Sequence, residues 1–362
     1  MKAVAAKAAW VFLFHLGVLL SPGSAAFSSE NLGAFLGAKD TDHPSWFKES
    51  FLDFEEDIEE AALEGKRLVL YFWQTGCPYC NALVEQNFAQ RDIVETMRSN
   101  YQLVGINMWG DREVIQVGGK VFTEKTLAAA LQVNYTPTLL FFDEARKVIL
   151  RLNGYYPPDD FRVAIDWARA SNSSAQPFAE YAAQAKSVVS RPKLNVQDFF
   201  EGAPFDLSVG KQDYTAVFFE QPNCAQCDVF HDRVLSQQIV RAQAKKMRTL
   251  QLDMWSTDTV VTADGRTLTA RDFAKELKVQ FAPTVVFLNA KGQEVMRMDG
   301  AFKTFHTQGI FRYVNEKAYA SEPSFQRYLG ALAERFREQG LDVDIWSYDL
   351  AVSRDNKPVI ID

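Results

Sequence analysis

An internal repeat is the strongest constraint on what this chain can fold into. Residues 108–154 align without a gap to residues 254–300 at an offset of 146, and 13 of the 47 aligned residues are identical. At ordinary composition, chance would give roughly one identity in sixteen. Each copy also contains one C-x-x-C pair, and the two pairs align at an offset of 147. The repeat therefore predicts two domains of one fold, joined in tandem.

Length and composition agree with two globular domains. The chain has 362 residues, of which 47% are hydrophobic and 23% are charged, and one domain usually takes roughly 100–200 residues. The formal net charge of −7 provides no basic excess to neutralise phosphates. We therefore expect no nucleic-acid partner.

The first 26 residues have the pattern of an export signal. Lys2 and Lys7 form a positive n-region, residues 8–20 are mostly apolar, and residues 24–26 are the small residues of a cleavage site. The apolar run is too short to span a bilayer, which takes about 20 residues, so we expect no stable membrane insertion after cleavage. Cleavage removes two lysines and no acids, and it takes the net charge from −7 to −9. The pattern predicts a bacterial periplasmic location.

The four cysteines form two C-x-x-C pairs, Cys77–Cys80 and Cys224–Cys227. An exported chain can keep disulfides, but structural disulfides usually close much longer loops. A four-cysteine zinc site normally places its pairs about 15–20 residues apart, whereas 143 residues separate Cys80 from Cys224. The spacing favours redox chemistry, with redox-active disulfides and no other cofactor.

Each copy is predicted to be an α/β unit. In copy one, the apolar run 68–73 predicts a strand that is buried on both faces. It leads to the C-x-x-C, and helical spacing follows from 82 to 97. The remaining predicted elements of copy one are a strand at 101–108, a helix capped by Thr123, a hairpin at 138–142 and 148–152, and a helix at 157–169. Those of copy two are strands at 216–219, 250–254, 284–288 and 295–298 and a helix capped by Thr269. A further helix is predicted at 178–190.

This order of elements, with the hairpin entries Tyr135-Thr136-Pro137 and Phe281-Ala282-Pro283, resembles the thioredoxin fold twice over. The stretches 43–47, 77–80, 323–327 and 342–346 are similar to periplasmic thioredoxin-like proteins of the SoxW type, associated with bacterial sulfur oxidation. The resemblance implies two tandem thioredoxin-like domains, each with a central mixed β-sheet flanked by helices. The expected organisation is a signal peptide at 1–26, domain one at 40–170, a linker at 171–195, domain two with a C-terminal helix at 196–346, and a tail at 347–362.

Two positions depart from the thioredoxin pattern. Thioredoxins carry a buried aspartate six residues before the first cysteine, where this chain has Tyr71 and Phe218. They carry a tryptophan just before that cysteine, where this chain has Gly76 and Asn223. Both departures leave the thiols in place, but the first removes the usual proton acceptor for the second cysteine.

The C-x-x-C chemistry assigns a role to each cysteine. A thiol at a helix start faces unsatisfied N–H groups, which lower its pKa and favour the attacking thiolate. We therefore assign Cys77 as the nucleophile and Cys80 as the resolving cysteine, with Cys224 and Cys227 in the same places of copy two. The resemblance implies a cis proline at Pro137 and at Pro283. The backbone at Thr136 and Ala282 would then be free to pair with an extended substrate segment.

The predicted function is a periplasmic thiol–disulfide oxidoreductase of the reductase type, acting on partner proteins through both C-x-x-C sites. The SoxW resemblance implies electrons from a membrane thiol transporter, delivered to sulfur oxidation or cytochrome c maturation.

Copy two leaves alternatives open. Cys224, Cys227 and His231 share one helical face, and two thiolates with an imidazole could hold copper(I) or zinc. His231 could instead be an ordinary solvent-facing helical residue. In a third alternative, copy two is a redox-inactive docking domain whose cysteines form no disulfide.

Overall fold

The two repeats fold into two copies of one four-stranded mixed sheet. The structure is a computed structural model, and it describes residues 32–170, 176–185, 193–208, 210 and 212–349. The predicted signal peptide, and most of the predicted tail, lie outside the described residues. None of the helices in these ranges is long and apolar enough to cross a membrane.

The strands are β1 (Phe35–Leu36), β2 (Arg67–Trp73), β3 (Tyr101–Asn107), β4 (Glu113–Ile115), β5 (Val121–Thr123), β6 (Thr138–Phe142), β7 (Val148–Asn153), β8 (Phe205–Asp206), β9 (Tyr214–Glu220), β10 (Arg248–Asp253), β11 (Thr259–Val261), β12 (Thr267–Thr269), β13 (Thr284–Asn289), β14 (Glu294–Asp299) and β15 (Val343–Asp344). The α-helices are α1 (Phe54–Leu63), α2 (Pro78–Ala82), α3 (Arg91–Asn100), α4 (Glu124–Ala130), α5 (Pro158–Arg169), α6 (Phe178–Ala185), α7 (Ala225–Val229), α8 (Gln238–Ala244), α9 (Ala270–Glu276), α10 (Thr304–Asn315) and α11 (Phe325–Glu338). A 3₁₀ turn (Ala318–Ala320) precedes α11.

In domain one the strand order is β3-β2-β6-β7. β2 is parallel to β3 and antiparallel to β6, and β7 closes a hairpin with β6. Leu68 and Leu70 pack into the core on one face of the sheet, whereas Val69 and Tyr71 pack into the core on the other. Burial on both faces explains the continuous apolar run of this strand.

Domain two has the same topology, in the order β10-β9-β13-β14. Its central strand divides in the same way, with Val217 and Phe219 in one core and Ala216 and Phe218 in the other. The prediction of two tandem α/β domains, each with helices on a mixed sheet, is confirmed. Thr123 and Thr269 cap α4 and α9, as the sequence predicts.

The helical spacing predicted over 82–97 is not one continuous helix in the structure. α2 runs into a π-helical turn (Leu83–Asn87), and the chain then breaks before α3. The break places Phe88 in the core, against Trp46 and Phe161. Copy two has the same π-helical continuation, because α7 runs into a π-helical segment (Phe230–Leu235).

The first and last strands, β1 and β15, pair with each other beside the core of domain two. β1 pairs in parallel with β15, so that Phe35 lies opposite Val343. This pairing brings the segment after β1 to the C-x-x-C loop of domain one, where the backbone N–H of Gly76 donates to Asp40. The inserted segments after β3 and β10 form the hairpins β4–β5 and β11–β12, and β8 adds a third strand to the latter.

An aromatic residue before the hairpin of domain one inserts into domain two. Tyr135 packs on Phe302, with ring centroids 4.9 Å apart, and on Phe325 at 5.6 Å. Its hydroxyl donates to the backbone oxygen of Arg297 at 2.6 Å. Tyr135 thus belongs to the core of domain two.

An aromatic residue before the hairpin of domain two makes the corresponding contact with domain one. Phe281 packs on Tyr156 of domain one at 4.5 Å and on Phe178 of α6 at 5.0 Å. Phe281 and Tyr156 occupy the repeat positions of Tyr135 and Phe302 at the offset of 146, and Phe178 packs on Phe281 as Phe325 packs on Tyr135. We call the two sets of three residues together the reciprocal clamp.

Candidate redox site

The first C-x-x-C pair lies at the start of α2. Cys77 caps this helix, and its Sγ accepts a hydrogen bond from the backbone N–H of Cys80 at 3.0 Å. The two cysteines are disulfide-bonded, with Cα atoms 5.3 Å apart. Both are buried. The sulfur therefore lies where the helix N-terminus favours an anion.

The second pair repeats this geometry at the start of α7. Cys224 is the capping residue and accepts from the N–H of Cys227 at 3.1 Å. This pair is also bonded, with Cα atoms 5.2 Å apart. A redox pair needs this disulfide, whereas the docking alternative for copy two expects none.

The proline loop of each domain lies against the first cysteine. The Thr136–Pro137 and Ala282–Pro283 peptide bonds are cis, as the resemblance implies. In domain one, the Thr136 hydroxyl donates to Cys77 Sγ at 3.2 Å, and its carbonyl oxygen lies 3.4 Å from the same sulfur. The predicted site residues Cys77, Cys80, Thr136 and Pro137 thus come together.

The corresponding loop of domain two brings Cys224, Cys227, Ala282 and Pro283 together. The carbonyl oxygen of Ala282 lies 3.5 Å from Cys224 Sγ. Alanine has no hydroxyl, so the loop offers Cys224 no counterpart of the bond from Thr136. This is a chemical difference between two otherwise similar sites.

The residue before each first cysteine explains one departure from the thioredoxin pattern. Gly76 has a φ of 73° and Asn223 a φ of 55°. Glycine and asparagine are the residues that enter this left-handed region most readily. The backbone before the cysteine therefore favours these residues over a bulky tryptophan.

The other departure from the thioredoxin pattern is Tyr71, which stands in domain one where thioredoxins have the buried aspartate. Tyr71 is fully buried, and its hydroxyl has no hydrogen-bond partner among the described residues. Burial raises the pKa of Tyr71 well above its ordinary value, so this phenol stays protonated. Tyr71 cannot replace a carboxylate as a proton acceptor.

Domain two has a buried carboxylate that the sequence analysis missed. Glu220 ends β9 on the face that Phe218 shares, because alternate residues of a strand face the same side. It is fully buried and accepts from Gln251 Nε2 at 2.9 Å. His231 Nε2 lies 2.8 Å from its Oε1. The available signal was an acid at the end of an otherwise apolar strand.

His231 is not solvent-facing, and that expectation is wrong. It is fully buried, and Gln197 Nε2 lies 3.3 Å from its Nδ1. Since the Gln197 oxygen accepts from Arg241, the Gln197 amide N–H donates to Nδ1 and the His231 Nε2–H donates to Glu220. The copper or zinc alternative requires one free ring nitrogen, and both are hydrogen-bonded here. The described residues contain no group of three His, Cys, Asp or Glu side chains arranged to hold a metal ion.

Domain two covers the first site. Tyr79, inside the C-x-x-C motif, accepts a hydrogen bond from the backbone N–H of Lys303 at 3.0 Å. Its ring lies 4.9 Å from Trp346 and 5.1 Å from His306. Access to Cys77 is therefore shaped by residues from the far end of the chain.

The family model of the thioredoxin-like domain matches the chain twice, at residues 54–168 and 205–315. The chain belongs to the thioredoxin-like family. Each match contains one C-x-x-C pair and one of the two cis-proline loops. Two bonded C-x-x-C pairs on thioredoxin-like domains are consistent with a thiol–disulfide oxidoreductase.

Solved structures similar to parts of this thioredoxin-like protein include a thioredoxin-fold protein from Helicobacter pylori, with 14% identity, a TM-score of 0.31, and coverage of 35% of this chain and 84% of the other. A thioredoxin from Thermus thermophilus shares 16% identity at a TM-score of 0.27, covering 40% and 93%. The first two thioredoxin domains of Saccharomyces cerevisiae Eps1p share 12% identity at a TM-score of 0.24, covering 71% and 92%. No curated protein sequence matches the chain.

Proposed function

We propose that this protein is a periplasmic thiol–disulfide oxidoreductase that reduces disulfides of partner proteins through its two C-x-x-C sites. The observation that supports this most is the position of each bonded pair, with the first cysteine capping a helix beside the cis-proline loop of a thioredoxin-like domain. Attack by the Cys77 thiolate forms a mixed disulfide and releases one substrate thiol. Cys80 then attacks Cys77, forms the intramolecular disulfide and releases the second thiol.

The SoxW-type assignment belongs to the same proposal. Two stretches that carry this resemblance contact the first site or the strand that leads to it: Trp346 packs on Tyr79, and His43 packs at 4.5 Å on Trp73, which ends β2. Their position supports a role in partner choice. In this proposal a membrane thiol transporter supplies the electrons, and sulfur-oxidation or cytochrome-maturation proteins receive them.

A redox titration tests the proposed activity. The protein would be equilibrated across a series of glutathione ratios, its free thiols alkylated, and each C-x-x-C peptide quantified by mass. We expect both pairs to titrate. The variant Cys80→Ser should accumulate a mixed disulfide on Cys77, because the resolving thiol is missing. A pair that stays fully oxidised or fully reduced across the series would overturn the proposal for that site.

A further inference from the structure

A cavity of about 240 Å³ lies against Cys77, and both domains line it. The C-P-Y-C loop forms one wall. Helices α10 and α11 of domain two form the opposite wall, with His306 from the first, Leu329 from the second, and Phe302 from the segment just before α10. A molecule in this cavity would reach the sulfur of the nucleophile.

No aspartate, glutamate, lysine or arginine is among the described residues that line this cavity. Its one histidine, His306, is neutral at ordinary pH, because burial lowers its pKa to about 4. A charged ligand would lose its hydration here without gaining a counter-charge, which is costly. The lining therefore favours an uncharged ligand.

The polar groups of the lining are mostly occupied. Gln74 accepts from Trp109 and donates to Gln326, which in turn donates to the backbone of Asn134. By contrast, Nδ1 of His306 is buried and has no hydrogen-bond partner among the described residues. Its burial leaves it almost no surface toward the cavity, so the lining offers a ligand few free polar groups.

Domain two covers the backbone edge at Thr136, where an extended peptide substrate would pair. Thr136 is only 6% exposed. The Phe302 ring lies against Gly154, so closely that a Cβ there would come within 2.7 Å of it. Tyr135, which precedes Thr136, is held in the core of domain two. A polypeptide could reach this edge only if the domains moved apart.

We propose that Cys77 also reduces small, uncharged organic disulfides, which bind in the cavity between the domains. At roughly 30 Å³ per water molecule the cavity has room for about eight waters, and thus for a disulfide of on the order of ten non-hydrogen atoms. This activity rests on the proposed function, since Cys77 and Cys80 must form a redox pair. It adds a substrate class that the covered peptide edge does not exclude.

The reaction balances without a further group. The Cys77 thiolate attacks one sulfur of the substrate R–S–S–R, breaks its S–S bond and releases one thiol after protonation. Cys80 attacks the mixed disulfide at Cys77 and releases the second thiol. The substrate gains two electrons and two protons, and the Cys77–Cys80 dithiol is oxidised to the disulfide. An external dithiol restores the enzyme.

Matched disulfides test the proposal on the full chain. Reduced protein would be mixed with bis(2-hydroxyethyl) disulfide, cystamine, 3,3′-dithiodipropionate or insulin, quenched by alkylation, and oxidation of the Cys77–Cys80 peptide quantified by mass. Each rate would be divided by that of free dithiothreitol, which corrects for intrinsic reactivity. We expect the neutral disulfide to exceed both charged ones by roughly tenfold or more, because charge is excluded from the cavity. Insulin should be the slowest.

Two substitutions link the preference to the cavity. Gly330 lines it from α11, and a Cβ there meets nothing within 4 Å. Gly330→Leu should therefore narrow the cavity and slow the neutral disulfide by roughly tenfold. Ala331→Leu is the matched control, because Ala331 is exposed on the same helix and does not line the cavity.

The possible results separate this inference from the proposed function. Equal corrected rates for neutral and charged disulfides, or an unchanged rate in Gly330→Leu, would overturn the cavity as a binding site. Insulin reduced as fast as the neutral disulfide would show that protein segments reach Cys77 freely, and would also overturn it. In both cases the redox function would stand. If none of the disulfides oxidises the Cys77–Cys80 pair, the proposed function fails and the inference fails with it.

Discussion

The hydroxyl of Thr136 distinguishes the two C-x-x-C sites at the scale of single residues. It donates to Cys77 Sγ, whereas Ala282 offers Cys224 only a carbonyl oxygen. A hydrogen bond to a charged group contributes about 1.5–3 kcal/mol, and 1.36 kcal/mol corresponds to one pH unit. We expect Thr136→Val to raise the midpoint of the Cys77 alkylation profile by about one to two pH units. Iodoacetamide labelling of the reduced protein, followed by peptide mass, measures it.

The repeat supplies the reciprocal test. Ala282→Thr should introduce the missing donor beside Cys224 and lower the midpoint of its alkylation profile by a similar amount. The Cys77 profile serves as the internal reference in that variant. Unchanged profiles in both variants would show that the Thr136 hydroxyl does not stabilise the thiolate.

The buried polar set of domain two makes a second contrast between the copies. By repeat position and strand register, Glu220, His231 and Gln251 correspond to Trp73, Val84 and Gly105. In domain one a Cβ on Gly105 would lie 3.6 Å from the Trp73 indole nitrogen. The Trp73 ring therefore fills the space that the Gln251 side chain takes in domain two. The same three repeat positions thus pack without this hydrogen-bonded set in domain one and form it in domain two.

His231→Ala should lower the free energy of unfolding by about 3–5 kcal/mol, because it removes the imidazole that pairs with the buried Glu220 and leaves that carboxylate only the bond from Gln251. The triple replacement Glu220→Trp, His231→Val and Gln251→Gly should recover most of this loss, since it installs the packing of domain one. Urea denaturation followed by circular dichroism compares them. A triple variant less stable than His231→Ala would mean that the two copies cannot exchange their packing here.

At the scale of elements, sequence and structure agree where burial alone decides. The both-face burial of β2 and β9 produces apolar runs that predict these strands to within two residues, and Thr123 and Thr269 cap helices through local hydrogen bonds. The break after Asn87 was not predictable, because it depends on where Phe88 meets the core. The orientation of His231 depends on Glu220 and on Gln251 in the neighbouring strand. Such partners come together only in the tertiary structure.

Helix α10 also introduces a pH dependence of stability through His306. Burial lowers its pKa to about 4, below the value of about 6.5 in an unfolded chain. The unfolded state therefore binds the proton first, and the free energy of unfolding falls as the pH drops from about 6.5 to about 4. The total loss is up to about 3 kcal/mol, and this contribution is constant above pH 6.5.

Urea denaturation at several pH values between 4 and 7.5 checks the effect of His306. The slope of unfolding free energy against pH should be smaller in His306→Phe than in the unchanged protein. His43 keeps part of the slope in both, because burial lowers its pKa as well. Identical slopes would show that His306 takes up its proton in the folded protein as readily as in the unfolded chain.

At the scale of the whole molecule, the reciprocal clamp makes each domain complete the core of the other. Tyr135 belongs to the core of domain two, and Phe281 packs against the core of domain one. Asn153 and Asp299, at equivalent repeat positions, are hydrogen-bonded to each other at 2.9 Å near the clamp. The sequence repeat predicts two similar domains but not this arrangement, because the clamp arises from aromatic side chains that meet across the interface.

The clamp leads to a prediction about both unfolding and substrate choice. Removing the buried ring of Tyr135 costs about 3–5 kcal/mol, and removing the partly buried ring of Phe281 costs less. Tyr135→Ala and Phe281→Ala should each uncouple the domains and split one thermal transition into two. Phe51→Ala is the control, because Phe51 is fully exposed. Tyr135→Ala should also expose the peptide edge beside Cys77, and insulin reduction should rise while reduction of bis(2-hydroxyethyl) disulfide falls. Opposite changes in the two rates are a result that general destabilisation cannot produce, because unfolding would lower the folded fraction for both substrates alike. A single transition at the original temperature in both clamp variants would show that the domains are coupled by other contacts.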